Sequence, residues 1–351
     1  MKQKNFLLIN PFGIGDVLFS TPVIRALKKE TSESKIYYLC NSRCAGFVAE
    51  NPYIEAVIVY DRDNFEALRK KSFFLWLREF SAFIKNIREK KIDVSLDFSM
   101  NTYFGLFALL GGVQRRVGLD YKKRGRFLTD RIPLNGFEGK HVVEFYADVL
   151  RRTGIEIDNS GMDMYYPESL RVLSRRKIIG MAPAGGQAFG AHAHVKQWPC
   201  EKYVELVKKI LNNTDYDVML FGAAFERDVL ERIAGASGNS SRVAVICDKT
   251  MLEVSALIDI CDVFAANDTG LLRVADALKK KCVALFGPVD DKVYGLYPED
   301  KNRHRLLCTR PECWPCYRRF RLPECTKDRI CINGITPEQV YASIKELMDV
   351  T

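Results

Sequence analysis

The chain has 351 residues, a net charge of +9 and an apolar fraction of 47%, which suggests two domains of roughly 100–200 residues each. No apolar run approaches the ~18–20 residues of a membrane span, and Met1 to Asn5 leads into a short strand rather than a signal-peptide core. A membrane-spanning class and a disulfide-framed class are thus disfavoured, and the protein is expected to be soluble and cytoplasmic. The basic excess admits nucleic acid, anionic lipid or a phosphorylated sugar as partner and does not choose among them.

In the first half, strands are expected at 6–9, 35–39, 56–60, 94–98 and 116–119, with helices at 17–29, 65–90 and 142–153. Periodicity fades from 158 to 175, so the boundary is placed between a domain of residues 1–160 and one of 161–351. The second half repeats the scheme, with strands at 177–182, 217–221, 243–246, 263–266 and 283–286. Helices are expected at 201–211, 226–235, 252–260, 271–279 and 337–348. Such alternation predicts an α/β chain of two doubly wound Rossmann-like domains with parallel sheets, facing across a cleft.

The first strand ends in Asn10-Pro11-Phe12-Gly13-Ile14-Gly15-Asp16. Gly13 and Gly15 allow a tight turn and close approach of a ligand. Leu18 stands where a dinucleotide fingerprint needs its third glycine. Asp16 is either a first-turn carboxylate of the next helix or a base able to take a proton from an acceptor hydroxyl. Arg115, Arg116, Lys122, Lys123, Arg124, Arg126 and Arg131 form the densest positive stretch of this half, either a solvated loop or the seat of a phosphorylated acceptor. Asp61-Arg62-Asp63, nominally an Asp-x-Asp metal motif, reads as a helix-initiating turn. In the helix that follows, Phe73, Trp76 or Leu77, Phe80 and Ile84 fit a core face. Phe74, Leu75 and Phe83 are left over beside Lys70, Lys71 and Lys85, as at an interfacial helix. Buried packing is the expectation.

In the second half, Gly185 and Gly186 precede Lys196-Gln197-Trp198-Pro199, glycines and a lysine suited to a phosphate, or else a surface lysine beside a packing tryptophan. His192 and His194 read as loop residues. Glu226, just past the Gly222 turn, either meets a ribose diol or caps the following helix. Asn267-Asp268-Thr269-Gly270, opening into Leu271, presents backbone N–H groups at a strand's carboxyl end, where a helix N-terminus favours an anion.

In this order and spacing the motifs resemble glycosyltransferase family 9, the ADP-heptose:lipopolysaccharide heptosyltransferases. The matching residues are Gly13–Leu18, Thr21-Pro22, Arg25–Leu27, Arg115–Gly118, Lys196–Pro199, Phe221-Gly222 with Glu226, Asn267–Gly270 and Leu285–Pro288. The resemblance implies a GT-B fold and inverting transfer from an ADP-sugar to a lipopolysaccharide inner-core glycolipid. It implies peripheral contact with the inner membrane face, no nucleic-acid partner and no cofactor or metal in catalysis. Asp16 would be the general base. Lys196, Thr269, Gly270 and Leu271, with Gly185 and Gly186, would hold the donor's phosphates, Glu226 its ribose, and Asp268 would lie near the sugar. The acceptor would meet Gly13, Gly15, Arg115, Arg116, Lys122 and Arg124. The family commonly carries a histidine where this chain has Arg273, which can clamp a diphosphate but cannot shuttle a proton. Asp276 lies in a stretch usually small and apolar.

Cys313, Cys316, Cys325 and Cys331 cluster in a Cys-rich loop, 308–331, and admit a structural zinc or iron or reduced, unliganded thiols. The other cysteines read as small core residues. Rival readings keep the donor but use a protein hydroxyl as acceptor, or bind a sugar nucleotide without turnover. The incomplete glycine fingerprint disfavours a dehydrogenase.

Overall fold

Four consecutive buried residues, Phe6–Ile9, form β1 near the middle of the first of two parallel sheets in the computed structural model. The structure describes residues 4–185, 194–238 and 241–350. The chain divides into two compact units, one of Met1–Phe137 with Val142–Ser160 and one of Glu138–His141 with Gly161–Thr351.

In the first unit β1 is followed by α1 (Ile14–Phe19), α2 (Thr21–Glu30), β2 (Ile36–Cys40), α3 (Ser42–Ala49), β3 (Ala56–Val59), α4 (Arg62–Lys71) and α5 (Phe73–Glu89). Then come β4 (Val94–Asp97), α6 (Thr102–Leu110), β5 (Arg115–Tyr121), β6 (Asp130–Leu134) and α7 (Val142–Arg151). The second unit holds β7 (Ile178–Ala182), α8 (Cys200–Asn213), β8 (Asp217–Phe221), α9 (Arg227–Ala236), β9 (Val243–Ile246), α10 (Met251–Asp259) and β10 (Val263–Asn267). It continues with α11 (Gly270–Ala277), β11 (Lys281–Leu285), α12 (Asp291–Tyr294), β12 (His304–Leu307), α13 (Ile330–Asn333) and α14 (Pro337–Asp349).

Strand order is β3-β2-β1-β4-β5-β6 in the first sheet and β12-β11-β10-β7-β8-β9 in the second. Both are the doubly wound order, one written in reverse of the other, and ligands of such sheets bind beyond the carboxyl ends at the switch point. The switch lies between β1 and β4 in one sheet and between β7 and β10 in the other. Ile9 pairs with Asp97 and Ala182 with Ala266, so the Asn10–Asp16 and Asp268–Gly270 turns each leave their sheet at that point.

Several elements depart from the sequence reading. The helix expected over 17–29 is two, because the Ser20 hydroxyl turns onto the Val17 carbonyl at 2.6 Å and Pro22 brings no N–H to the next turn. The 65–90 helix divides at Ser72, whose Oγ accepts from Leu75 N at 3.4 Å and caps α5. α6 is apolar nearly all round and shows no helical stripe. β6 and β12 are edge strands, and Pro133 is tolerated in β6 because an edge needs no donor on its outer side.

α5 is also a correction. Its core contact is Phe83, Ile84 and Ile87, at its carboxyl-terminal half, packed with Phe104 and Phe107 against β1 to β3. Phe73 is 60% exposed and Leu77 43% exposed, so the expected core face does not continue to the start of the helix. The reason is its neighbour: α5 packs along α4, which contributes no buried residue.

Candidate active site

In the first unit two asparagines set the loop that carries Asp16. Asn10, fully buried, donates from Nδ2 to the Asp16 carbonyl at 2.9 Å. Asn41 donates from Nδ2 to the carbonyls of Pro11 at 3.0 Å and Phe12 at 2.5 Å, while its Oδ1 caps α3 through Cys44 N. The Asp16 carboxylate, half-buried in the first turn of α1, is therefore fixed through its backbone. Gly13 is the N-cap of α1, and a Cβ there would stand 4.0 Å from Asp16 Oδ2. Gly13 thus leaves the approach to that carboxylate uncovered, and Gly15 lies in the same turn.

Arg115 and Arg116 do not join this loop. They begin β5, and the Val94–Arg115 register places them at the amino edge of the sheet, about 10 Å of strand from the Asp97–Gly118 pair. Arg115 bonds to Asp130 and Arg116 to the carbonyls of Phe127 and Val113. Lys122 and Arg124 sit in the turn after β5, at the same edge as Asp16, with Lys122 Nζ 5.0 Å from the Tyr121 ring centroid.

Asp97 closes β4 at the same switch point. It is buried, and its Oδ1 accepts from Ser99 N at 2.8 Å. Burial pushes its carboxyl up to about 6, against the lowering effect of the Ser99 bonds. A folded-state pKa above the unfolded one means stability falls as pH rises through the window from about 4 to 6, by roughly 3 kcal/mol at most. Asp97→Asn keeps an acceptor for Ser99 N. It should gain about 1–3 kcal/mol over wild type at pH 8 and almost nothing at pH 4 in urea melts. An equal gain at both pH values would refute this account.

In the second unit Asn267 joins the two switch-point strands. Its Nδ2 donates to the Pro183 carbonyl at 2.7 Å, and its Oδ1 accepts from Trp198 N and from the Tyr203 hydroxyl, both at 3.2 Å. Trp198, 1% exposed, anchors the segment that delivers Lys196 by donating from Nε1 to the Ile335 carbonyl. Lys196 Nζ lies 2.5 Å from Asp268 Oδ2, and Arg273 Nη2 lies 2.6 Å from Asp268 Oδ1. The three side chains are buried and carry a net charge of +1. Burial would raise the Asp268 carboxyl, but the two cations outweigh it and hold it below its ordinary range.

Arg273 was a diphosphate clamp in the sequence reading. In the structure its Nη2 also donates to the Tyr294 carbonyl, and the guanidinium carbon stands 5.6 Å from the Phe286 ring centroid. It braces Asp268 from inside. Asp276, the other unusual residue of α11, accepts from Tyr297 N at 2.8 Å, with His304 Nε2 3.1 Å from its Oδ1.

Thr269 is the N-cap of α11, yet its hydroxyl makes no capping bond and is buried with no hydrogen-bond partner among the described residues. The first-turn N–H groups of Gly270 and Leu271 have no intrahelical acceptor. A net positive cluster, an orphaned hydroxyl and a helix N-terminus thus meet where an anion binds best. Glu226 lies at the same edge, beyond β8, and its Oε2 accepts from Ala223 N at 2.8 Å, so it does close the local turn. Gly185 follows β7; Gly186 and His192 lie outside the described residues. A Cβ on Gly287 would meet the Val195 carbonyl at 3.3 Å, which shows how closely the turn after β11 approaches the Lys196 segment.

The family model for glycosyltransferase family 9 (heptosyltransferase) matches residues 80–325. The chain belongs to that family. It is a glycosyltransferase of the lipopolysaccharide heptosyltransferase type, and its two doubly wound sheets are those of the GT-B architecture. The lipopolysaccharide heptosyltransferase 2 of Salmonella typhimurium is 25% identical over 300 residues, 80% of this chain and 82% of the relative. The solved ADP-heptose lipopolysaccharide heptosyltransferase II of E. coli superposes with a TM-score of 0.75 at 21% identity, covering 98% of each chain. An E. coli heptosyltransferase solved with ADP-2-deoxy-2-fluoro heptose gives 0.73 at 17% identity, over 97% of this chain and 99% of the other. The span matched by the family model holds Lys196, Glu226 and Asp268 to Arg273, and Asp16 precedes it.

Cys313, Cys316, Cys325 and Cys331 line one pocket with Val195 and Pro288. Cys316 N and Tyr317 N donate to the Pro288 carbonyl at 2.9 and 3.0 Å, which ties the Cys-rich loop to the turn after β11. Among the described residues no group of three or more His, Cys, Asp or Glu is arranged to hold a metal ion. The four thiols share this pocket, and Cys325 Sγ accepts from Arg329 N at 3.3 Å.

The sequence reading missed Asn10, Asn41 and Phe286. Asn41 and Phe286 take their roles from partners elsewhere in the chain, and Asn10 from a carbonyl six residues on in its own loop.

Proposed function

We propose that this glycosyltransferase moves a heptose from ADP-heptose to a hydroxyl of a lipopolysaccharide inner-core acceptor, with inversion and without a catalytic metal, at the cytoplasmic membrane face that carries that acceptor. Asp16 takes the proton of the acceptor hydroxyl. The acceptor oxygen bonds to the anomeric carbon as the bond from that carbon to the diphosphate oxygen breaks, and ADP leaves with the electron pair. One displacement of this kind inverts the anomeric centre. Lys196, the Thr269 hydroxyl and the N–H groups of Gly270 and Leu271 receive the charge that develops on the diphosphate. Glu226 meets the ribose, Asp268 fixes Lys196, and Arg273 fixes Asp268. Lys122 and Arg124 draw the acceptor's anionic groups to the edge that holds Gly13, Gly15 and Asp16.

The observation that carries this reading is the anion seat at the β7–β10 switch point, within the span matched by the family model. Relatives named for lipopolysaccharide heptosyl transfer, and a neighbour solved with an ADP-heptose analogue, support the choice of donor and acceptor. A thermal-shift panel tests it. ADP and ADP-heptose at a hundredfold excess over Kd should raise Tm by about 5–10 °C, while UDP-, GDP- and CMP-sugars leave it in place. Stabilisation by UDP- or GDP-sugars alone would overturn the assignment.

A further inference from the structure

The helical hairpin of α4 and α5 has no role in the chemistry just described, and its tip is strongly apolar. An aromatic ladder leaves the core at Phe107, passes to Phe80 at 5.5 Å and to Trp76 at 5.3 Å, and reaches Phe73 at 5.6 Å. At the tip Phe74 is 82% exposed, beside Phe73 and Leu77, which are also exposed. Three apolar side chains in water at one helix start are not explained by packing, because α4 buries none of its residues against them. The surrounding charge is predominantly positive. Arg69, Lys70 and Lys71 end α4 directly before the tip and have no ion-pair partner among the described residues, while Arg78 and Lys85 follow on α5. Segment 62–91 carries nine Lys or Arg against four Asp or Glu.

We infer that the start of α5 is the surface by which this enzyme docks on an anionic lipid bilayer. Phe73, Phe74 and Leu77 enter the boundary between headgroups and acyl chains, and Arg69, Lys70 and Lys71 lie on the phosphates. Aromatic rings beside a run of cations suit that boundary, apolar below and negatively charged above. A protein partner would need a complementary acidic surface around the rings; a bilayer of anionic lipid supplies both features at once. The inference rests on the reading of the acceptor as a glycolipid, since docking would bring the enzyme to the membrane that displays it.

The test is cosedimentation of the full chain with phosphatidylethanolamine–phosphatidylglycerol vesicles and with phosphatidylcholine vesicles. The wild type should partition onto the anionic vesicles and leave the zwitterionic ones largely unbound. The variant Phe74→Glu should bind at least about tenfold more weakly, with an unchanged melting temperature because this side chain already faces water. Lys70→Glu with Lys71→Glu should weaken binding by roughly fivefold or more per residue at low salt and progressively less as salt rises. Turnover on a delipidated, water-soluble acceptor should be equal in the wild type and both variants. Equal vesicle binding by all three proteins would overturn the inference. So would a concentration-dependent dimer in sedimentation velocity that Phe74→Glu abolishes, because a second copy would then be the occupant. If the wild type turned over neither form of acceptor, the functional reading would fail, and the vesicle result would still decide the docking surface.

Discussion

Asp16→Asn should bind ADP-heptose as the wild type does and lose turnover by about 10²–10⁴-fold, the range that a positioned general base supplies. The isostere is the informative variant because the loop is held through its backbone carbonyls. Asn10 holds the Asp16 carbonyl and Asn41 holds those of Pro11 and Phe12, so an amide at position 16 stands where the carboxylate stood. What it lacks is the ability to accept a proton as the acceptor oxygen attacks. Donor affinity should not change, since the proposed phosphate contacts come from Lys196, Thr269 and the start of α11. Gly13→Val is a second probe at the same place. Its side chain would grow from a Cβ 4.0 Å from Asp16 Oδ2, so it should raise the KM for acceptor without touching donor binding. The measurements are ADP release at saturating substrates and calorimetric titration with ADP-heptose. An Asp16→Asn protein that kept a tenth or more of wild-type turnover would remove Asp16 from the base role. A protein that bound the donor and never turned over, in wild type as in variant, would make the chain a sugar-nucleotide binder.

The parts of this enzyme legible in its sequence are those written by local chemistry. Buried parallel strands are continuous apolar runs, so β1, β8 and β9 stand where the pattern puts them, and the other expected strands shift by a residue or two, while the edge strands β6 and β12 were not expected. The Gly13–Asp16 and Asn267–Gly270 turns are legible because a strand must end and a helix must start in a few residues. Features that depend on distant partners were not. Arg115 and Arg116 read as free positive charge, but a parallel register decides which edge a residue occupies, and theirs is the amino edge. Arg273 read as a hand held out to a diphosphate; its burial depends on Asp268, Phe286 and the Tyr294 carbonyl, residues that a helix wheel does not contain. The same holds for α5. Its aromatic content suggested a core helix throughout, while the helix packs along a partner, α4, with no core of its own. α6 failed for the opposite reason, being so apolar that no face stood out.

Asp268→Ala should cost the protein about 3–5 kcal/mol, the usual consequence of removing one charged member of a buried charge network. Lys196 and Arg273 both converge on this carboxylate, and their side chains are 9% and 3% exposed. Without it two cations face each other with little water to separate them. Arg273→Met should cost far less, because Lys196 and Asp268 then remain as a balanced pair and the methionine fills most of the vacated space beside Phe286. The double variant Asp268→Ala, Arg273→Met should recover part of the loss, with a coupling of roughly 1–3 kcal/mol between the two positions. The sign of the pH dependence is set by the lowered Asp268 carboxyl. A depressed folded-state pKa contributes stability above the unfolded value, and that stability is lost only as pH falls through the folded value. The Asp268→Ala penalty should therefore be nearly equal at pH 8 and pH 5, and should shrink only in stronger acid. Urea melts of the four proteins at the two pH values decide this. If Asp268→Ala melted within 1 kcal/mol of wild type, water would have to reach Lys196 and Arg273 freely, and the preorganised anion seat would lose its physical basis.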